Sequence, residues 1–165
     1  MKHLTSALCA SLLLSTLAAF PALGEELLFT VSGKNSSGAA IELTITDAML
    51  SQIGVTQIST KVVSQGDFVR TVRGAKVEDV LNASGLVGDT VHVVALDGYA
   101  VDLPRGDFAK YPALFATEID GKKLSVRDKG PAWIIYPVSD FKELDDPVFE
   151  ARSVWQLKTV TVHNQ

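Results

Sequence analysis

The sequence predicts a domain of the α+β class, mainly β, with a mixed sheet and two or three short helices. Apolar, β-branched stretches of strand length recur along the chain, separated by tight-turn pairs such as Asp97-Gly98 and Asp120-Gly121. Stretches with helical spacing of apolar residues are fewer and shorter. Because no repeat or linker interrupts residues 25–165, we expect a single domain there.

The first 24 residues have the composition of a secretory signal. A short basic start precedes an apolar segment over 4–17, which is too short for a comfortable membrane span. Small residues then lead to Gly24, after which we predict cleavage. We therefore expect an exported protein, periplasmic or secreted, with no membrane span after the signal is removed.

Composition excludes several classes of function. Cys9, the single cysteine, lies in the predicted signal, so the mature domain has no disulfide, thiolate metal site or cysteine nucleophile. The formal net charge is −4 and the basic residues are scattered, which argues against a nucleic-acid partner. His92 and His163 lack acidic residues at ligand spacing, so no metal ligands are predicted. No nucleophile elbow, phosphate loop or dinucleotide motif is present, and no catalytic residue is predicted.

The first half of the chain predicts two hairpins and two short helices. The strands are expected over 27–32, 41–46, 55–63 and 68–72. The helices are expected over 48–53 and 75–83, each ending at a glycine, and Asp47 is expected to cap the first of them. Gly74 is expected to separate the fourth strand from the second helix.

The second half of the chain is organised around an apolar run, Ala132 to Tyr136, between a Gly-Pro turn and Pro137. This run predicts a strand buried on both faces. Further strands are expected over 90–96, 99–103, 122–126 and 158–163. A short helix is expected from Pro104 to about Lys110, and residues 113–119 fit either a strand or a helix. The acidic segment over 138–152 predicts a loop with a little helix.

Two turns and one tryptophan are predicted to line a single pocket. In the first turn, Arg127 and Lys129 stand beside Gly130 at the mouth of the buried strand. Two cations beside free backbone N–H groups can hold a phosphate or a carboxylate. The alternative is a solvated turn in which Asp128 pairs locally, because surface ion pairs are common and weak.

The second turn, Asp97-Gly98-Tyr99, can present a carboxylate and a hydroxyl to a ligand. Its alternative is a plain hairpin turn with a core tyrosine. Trp155 follows the acidic segment, and its indole can stack on a ligand ring or cover the floor of the pocket. The alternative there is a tryptophan that belongs only to the core.

An ordered set of motifs over residues 55–162 resembles the oxidoreductase molybdopterin-binding domain of the sulfite oxidase family. The motifs are Gly74, Val80-Leu81, Ala95 to Tyr99, Leu103-Pro104, Leu114 to Ala116, Asp120 to Leu124, Gly130-Pro131, Ile134 to Pro137 and Trp155 to Lys158. The resemblance implies a mixed α+β fold of that type, with a pterin-cofactor pocket formed by loops at strand ends. It also implies that the loop around Asp97 and Tyr99 lies at the pocket.

The chain lacks the cysteine that holds the metal in enzymes of that family. Enzymes of the family hold molybdenum through a cysteine thiolate, and the corresponding segment here has Ser59, Thr60 and Lys61 but no cysteine. A hydroxyl is a much poorer ligand for such a metal than a thiolate. The family's histidine and paired glycines are replaced by Arg127 to Gly130. The chain is also shorter than the enzyme domain, and it is more similar to compact, single-domain exported members of the family.

Three functions follow as hypotheses. The first is a non-catalytic binding module for a small anionic or heterocyclic ligand or for a partner protein. The second is a molybdopterin-dependent oxidoreductase whose metal has an oxygen ligand, Ser59 or Thr60. The third is an accessory protein in signalling or assembly that has no small-molecule ligand. No cofactor is predicted from the residues themselves, and molybdopterin follows from the resemblance alone.

Overall fold

The structure is a computed structural model that describes residues 26–62, 65–66 and 68–165. The predicted signal over 1–24 and part of the predicted turn over 64–67 lie outside the described residues. Within the described residues, no helix is long and apolar enough to cross a membrane.

Short strands dominate the described chain. The strands are β1 (Leu27–Asn35), β2 (Ala40–Thr46), β3 (Val55–Lys61), β4 (Val69–Lys76), β5 (Leu86–Val87), β6 (Thr90–Ala95), β7 (Ala100–Pro104), β8 (Leu114–Ile119), β9 (Lys122–Lys123), β10 (Trp133–Ile135) and β11 (Leu157–His163). The helices are α1 (Asp47–Ile53), α2 (Val77–Ala83), α3 (Arg105–Lys110) and α4 (Pro147–Arg152). Among the fully described segments, 3-10 turns cover Val126–Asp128 and Lys142–Leu144.

The strands form two sheets. The larger sheet has the order β2-β1-β11-β6-β7, with β5 beside β1. The second has the order β10-β8-β4-β3, with β9 beside β8. The pair β1 and β11 is parallel, and the other pairs are antiparallel. The prediction of a mainly β domain with a few short helices is confirmed. The larger sheet is mixed, as predicted, because it contains the parallel pair β1 and β11, but the strands divide between two sheets.

The core has two parts, because the second sheet buries side chains on both of its faces. Phe115 and Ile134 belong to the larger cluster, which includes residues of the first sheet. The rings of Phe29 on β1 and Phe115 on β8 lie 4.7 Å apart between centroids, so they join the two sheets directly. Their strand neighbours Leu114 and Trp133 point to the opposite face and belong to the smaller cluster.

The predicted strand over 132–136 is β10, and all of its residues are buried, as expected. It pairs with β8 at the end of the second sheet. On its other side, the Ile134 N–H donates to the Val154 carbonyl at 2.9 Å, and the Leu157 N–H donates to the Ala132 carbonyl at 3.1 Å. The segment that leads into β11 therefore runs along β10, which fixes the position of Trp155.

Two predicted boundaries were wrong for identifiable reasons. Gly74 lies inside β4 rather than between a strand and a helix, because its missing side chain lets the strand press against the Phe115 carbonyl. Helix α2 consequently starts at Val77. The cap of α1 is Thr46 rather than Asp47: its hydroxyl oxygen accepts a hydrogen bond from the Met49 N–H at 3.3 Å.

The structure decides between two predictions for one further segment and shortens the predicted strand in another. The stretch over 113–119, which fitted a strand or a helix, contains strand β8. The strand expected over 122–126 is shorter, because only Lys122–Lys123 pair with β8 and the chain then enters the 3-10 turn Val126–Asp128.

Candidate functional site

A cleft of about 260 Å³ opens between the turn that joins β6 to β7 and the end of α4. The described residues that line it are Ala95, Asp97, Tyr99, Glu150, Ala151, Ser153, Val154 and Trp155. The lining is mainly apolar. Its volume falls just below the range of about 300–1,000 Å³ that is usual for drug-sized ligands, so it suits a small molecule.

Tyr99 forms one wall of the cleft. The Asp97 side chain accepts a hydrogen bond from the Tyr99 N–H at 2.9 Å, which closes an Asx turn around Gly98. The Tyr99 hydroxyl donates to the Ala151 carbonyl on α4 at 2.9 Å. Tyr99 is 45% exposed. The hydroxyl that we expected to face a ligand is thus engaged by α4, and the ring is the surface that a ligand meets.

Helix α4 supplies the opposite wall, which the sequence predicted only as a loop with a little helix. Asp146 caps this helix, since its carboxylate accepts from the Val148 N–H at 2.8 Å, and Pro147 occupies the first turn. The Asp-Pro pair is the sequence signal that indicates a helix start here. Sequence reasoning therefore missed Glu150 and Ala151 as lining residues.

Trp155 follows α4, and Lys129 contacts its ring. The Lys129 ammonium nitrogen lies 4.5 Å from the Trp155 ring centroid and 4.8 Å from that of Trp133. The two indoles meet edge to face, with centroids 6.2 Å apart. Such contacts between a cation and aromatic faces are favourable. Burial lowers the pKa of Lys129, and the nearby Glu150 carboxylate opposes that effect.

The remaining predicted residues, Arg127 and Gly130, are not among the described residues that line the cleft. Arg127 is exposed in the 3-10 turn. Gly130 is buried, and its N–H donates to the Ser125 carbonyl at 2.7 Å. A Cβ atom at Gly130 would collide with the Leu124 carbonyl, so this glycine serves the close packing of the turn.

The structure thus brings Asp97, Tyr99 and Trp155 together around one cleft, with Lys129 against Trp155. The charged side chains among the described lining residues are the carboxylates of Asp97 and Glu150. The anion site that we predicted from Arg127 and Lys129 remains a prediction, and the cleft itself presents acidic groups.

A second, much smaller cavity of about 20 Å³ adjoins the cleft and shares Glu150, Ser153 and Trp155 with it. The buried Tyr136 side chain lines this cavity, and its hydroxyl has no hydrogen-bond partner among the described residues. Burial raises the pKa of Tyr136, and the nearby Asp107 carboxylate raises it further without completing a hydrogen bond. The cavity is large enough for about one water molecule.

Ser59 and Thr60, whose hydroxyls were considered as oxygen ligands for a metal, are not among the described residues that line the cleft. Thr60 is buried, and its hydroxyl oxygen accepts from the Ser139 N–H at 3.1 Å. Ser59 is exposed on β3 and is not a described lining residue. Across residues 26–62, 65–66 and 68–165, no three His, Cys, Asp or Glu side chains are grouped so that they could hold a metal ion.

The cleft residues do not fit molybdopterin. That cofactor carries a phosphate, whereas the charged groups lining this cleft are the carboxylates of Asp97 and Glu150. The Thr60 hydroxyl, one of the two proposed oxygen ligands, is already committed to the backbone of Ser139.

No protein-family model matches this chain, and no curated protein is significantly similar to it in sequence. The class that the fold and the site define is a mainly β domain with a few short helices and a cleft lined by aromatic side chains between the β6–β7 turn and α4.

Proposed function

We propose that this chain is an exported, non-catalytic binding module that holds a small heterocyclic ligand in the cleft between Tyr99 and Trp155. The observation that carries the proposal is the pair of aromatic side chains on that cleft. Tyr99 is 45% and Trp155 36% exposed, although large aromatic side chains are generally well buried. Exposed aromatic rings that line one cleft are suited to contact with a flat ring.

Contacts within the protein hold the side chains of the cleft in place before any ligand binds. The Tyr99 hydroxyl bonds to α4, and the Trp133 indole N–H donates to the Ser153 carbonyl at 3.1 Å, at the end of the same helix. Trp155 in turn packs edge to face against Trp133. Because the side chains are already ordered, a ligand loses little free energy in arranging them. This preorganisation supports a binding role for the cleft.

The chemistry of the residues supports a role without catalysis. The mature chain has no cysteine that could anchor the family's metal, and the Thr60 hydroxyl is buried in a structural bond. Under this proposal, the chain is a compact relative of the molybdopterin-binding oxidoreductase domain whose cleft takes a different ligand. The convergence of the Asp97 turn, the Lys129 turn and Trp155 supports that relationship.

The experiment uses the two tryptophans of the chain as reporters. Two-dimensional NMR of the ¹⁵N-labelled mature protein gives one indole N–H signal for Trp133 and one for Trp155, which Trp155→Phe assigns. Titration with nicotinamide, a small neutral heterocycle, should shift the Trp155 signal at millimolar concentration and shift that of buried Trp133 less. Tyr99→Ala should weaken the effect, whereas Val69→Ala, at an exposed position on β4 outside the lining, should not.

The absence of any Trp155 shift with nicotinamide and its charged analogues would contradict a heterocycle site. Stoichiometric molybdenum in protein exported by a cofactor-producing host would contradict the non-catalytic role and support the oxidoreductase hypothesis.

A partner protein is the second candidate, and exposed apolar side chains beside the cleft favour it. Leu96 is 48% and Val126 52% exposed. Both flank Gln156: the Leu96 N–H donates to the Gln156 carbonyl at 2.8 Å, and the Gln156 amide donates to the Val126 carbonyl at 2.7 Å. Under this hypothesis, a Leu96→Ser, Val126→Ser double variant should lose the partner, while Tyr99→Ala should affect it less.

A further inference from the structure

We infer that the cleft selects a positively charged heterocycle over a neutral or negatively charged one of the same shape. This inference rests on the proposed function and specifies its ligand class. Two carboxylates, from Asp97 and Glu150, and two aromatic rings, from Tyr99 and Trp155, line one cleft of about 260 Å³. Each of these four groups interacts more favourably with a cation than with an anion.

Asp97 is held in position without using up its capacity to accept hydrogen bonds. One of its oxygens receives the Tyr99 N–H at 2.9 Å, which orients the carboxylate on the tight turn. An ionised carboxylate has about four acceptor sites, so it can also contact a ligand. The turn thereby places a negative charge next to the ring of Tyr99.

Glu150 brings the second negative charge from the other wall. It is exposed on α4, one residue before Ala151, whose carbonyl binds the Tyr99 hydroxyl. The hydrogen bond between Tyr99 and α4 therefore ties together the elements that carry the two carboxylates. A planar cation in the cleft would meet acidic groups from both elements.

Two lysines lie near this cleft, and their positions bear on its selectivity. Lys129 contacts the Trp155 and Trp133 rings, and Lys61 lines the small adjoining cavity together with Glu150. Neither lysine is among the described residues that line the cleft itself. The charged groups among the described lining residues are therefore the two carboxylates, which a ligand in the cleft can contact directly.

Three probes with one ring test the inference, since they differ mainly in charge: 1-methylnicotinamide is a cation, nicotinamide is neutral and nicotinate is an anion. Dissociation constants come from the Trp155 indole signal, with the Trp133 signal as internal control. We expect the cation to bind about tenfold more tightly than the anion, which corresponds to about 1.4 kcal/mol. The ratio should shrink as salt is added, because exposed charges are screened.

The decisive variant is Asp97→Asn with Glu150→Gln, which removes both charges and keeps the side-chain oxygen that closes the Asx turn. In this variant, the ratio of the affinity for 1-methylnicotinamide to that for nicotinate should fall, because the two carboxylates no longer favour the cation. The matched control, Asp79→Asn with Glu42→Gln, removes the same two charge types from exposed positions on α2 and β2. It should retain the preference for the cation.

Two results would overturn the inference and leave the proposed function standing: nicotinate binding as tightly as 1-methylnicotinamide, or an unchanged ratio in the Asp97→Asn, Glu150→Gln variant. Failure of all three probes to move the Trp155 signal would overturn both, because the cleft would then bind no heterocycle of this size.

Discussion

The Lys129 carbonyl accepts a hydrogen bond from the Gln156 N–H at 3.0 Å, and both residues occupy the left-handed backbone region, with φ of 68° and 52°. Such a conformation is unfavourable for residues other than glycine and persists where the surroundings fix it. Gln156 also bonds to the main chain of Leu96 and of Val126. Gln156 therefore connects the turn at Lys129, the β6–β7 turn at Leu96 and the 3-10 turn at Val126, directly beside Trp155.

The side chain of Gln156 makes a measurable contribution to this junction. Gln156→Ala removes the 2.7 Å bond to the Val126 carbonyl and should lower the free energy of unfolding by about 1 kcal/mol. Gln156→Gly loses the same bond but relieves the left-handed strain, so it should be less destabilised than the alanine variant. Urea unfolding at neutral pH measures both changes.

The exposed Gln52 on α1 serves as the control for these variants. Gln52→Ala should change the unfolding free energy by less than about 0.5 kcal/mol. A Gln156→Ala variant as stable as the wild type would show that the junction does not depend on this side chain.

Gly130 and Gly106 should respond in opposite ways to a single added methyl group. At Gly130 a Cβ atom would collide with the Leu124 backbone, so Gly130→Ala should destabilise the protein by about 2 kcal/mol or more. Gly106 lies in α3 with open space around it, and Gly106→Ala should stabilise by about 0.5 kcal/mol because alanine favours the helix. Thermal and urea unfolding of the two variants check this prediction, which fails if both shift stability in the same direction.

The buried hydroxyl of Tyr136 should lower the free energy of unfolding of the protein. It has no partner among the described residues, and an unsatisfied buried polar group is unfavourable by about 1–3 kcal/mol. Tyr136→Phe should therefore raise the unfolding free energy by about 1 kcal/mol. Tyr111→Phe is the matched control, since the buried Tyr111 donates its hydroxyl to Glu143 at 3.3 Å, and its loss should destabilise. A destabilised Tyr136→Phe variant would contradict this prediction and indicate that the hydroxyl is hydrogen-bonded in solution.

The sequence predicts best those features that depend on near neighbours in the chain. The apolar run of β10 and the Asp97-Gly98 turn were recognisable because burial and turn chemistry leave local patterns. Gly74 was misplaced because the reason for its position is Phe115, a contact from a distant strand. The division into two sheets was equally inaccessible, since strand pairing depends on contacts between remote segments.

The candidate site shows the same contrast. Asp97, Tyr99 and Trp155 were predicted together and lie around one cleft. Glu150 was missed because its role depends on where α4 lies against the β6–β7 turn, which no local pattern specifies. Arg127 was predicted because of its charge. In the structure it is exposed, and it is not among the described residues that line the cleft.

Asp120 should make stability sensitive to acid. The Thr71 N–H, 3.0 Å from one carboxylate oxygen, and the Arg70 guanidinium, 2.8 Å from the other, lower the pKa of Asp120 below its ordinary value of 3.8. The folded state therefore releases this proton more readily than the unfolded state. The resulting stabilisation is fully present above pH 3.8 and is lost as the pH falls through the lower folded pKa.

Asp120→Asn removes that titration and keeps a residue type that tolerates the left-handed backbone at this position, where φ is 50°. In urea unfolding from about pH 5 down to about pH 2, the wild type should lose stability more steeply than the variant. Asp145→Asn, at an exposed position after the second 3-10 turn, should keep the wild-type slope. Equal slopes for the wild type and Asp120→Asn would mean that the contacts with Thr71 and Arg70 do not persist in solution, since those contacts are the reason for the shifted pKa.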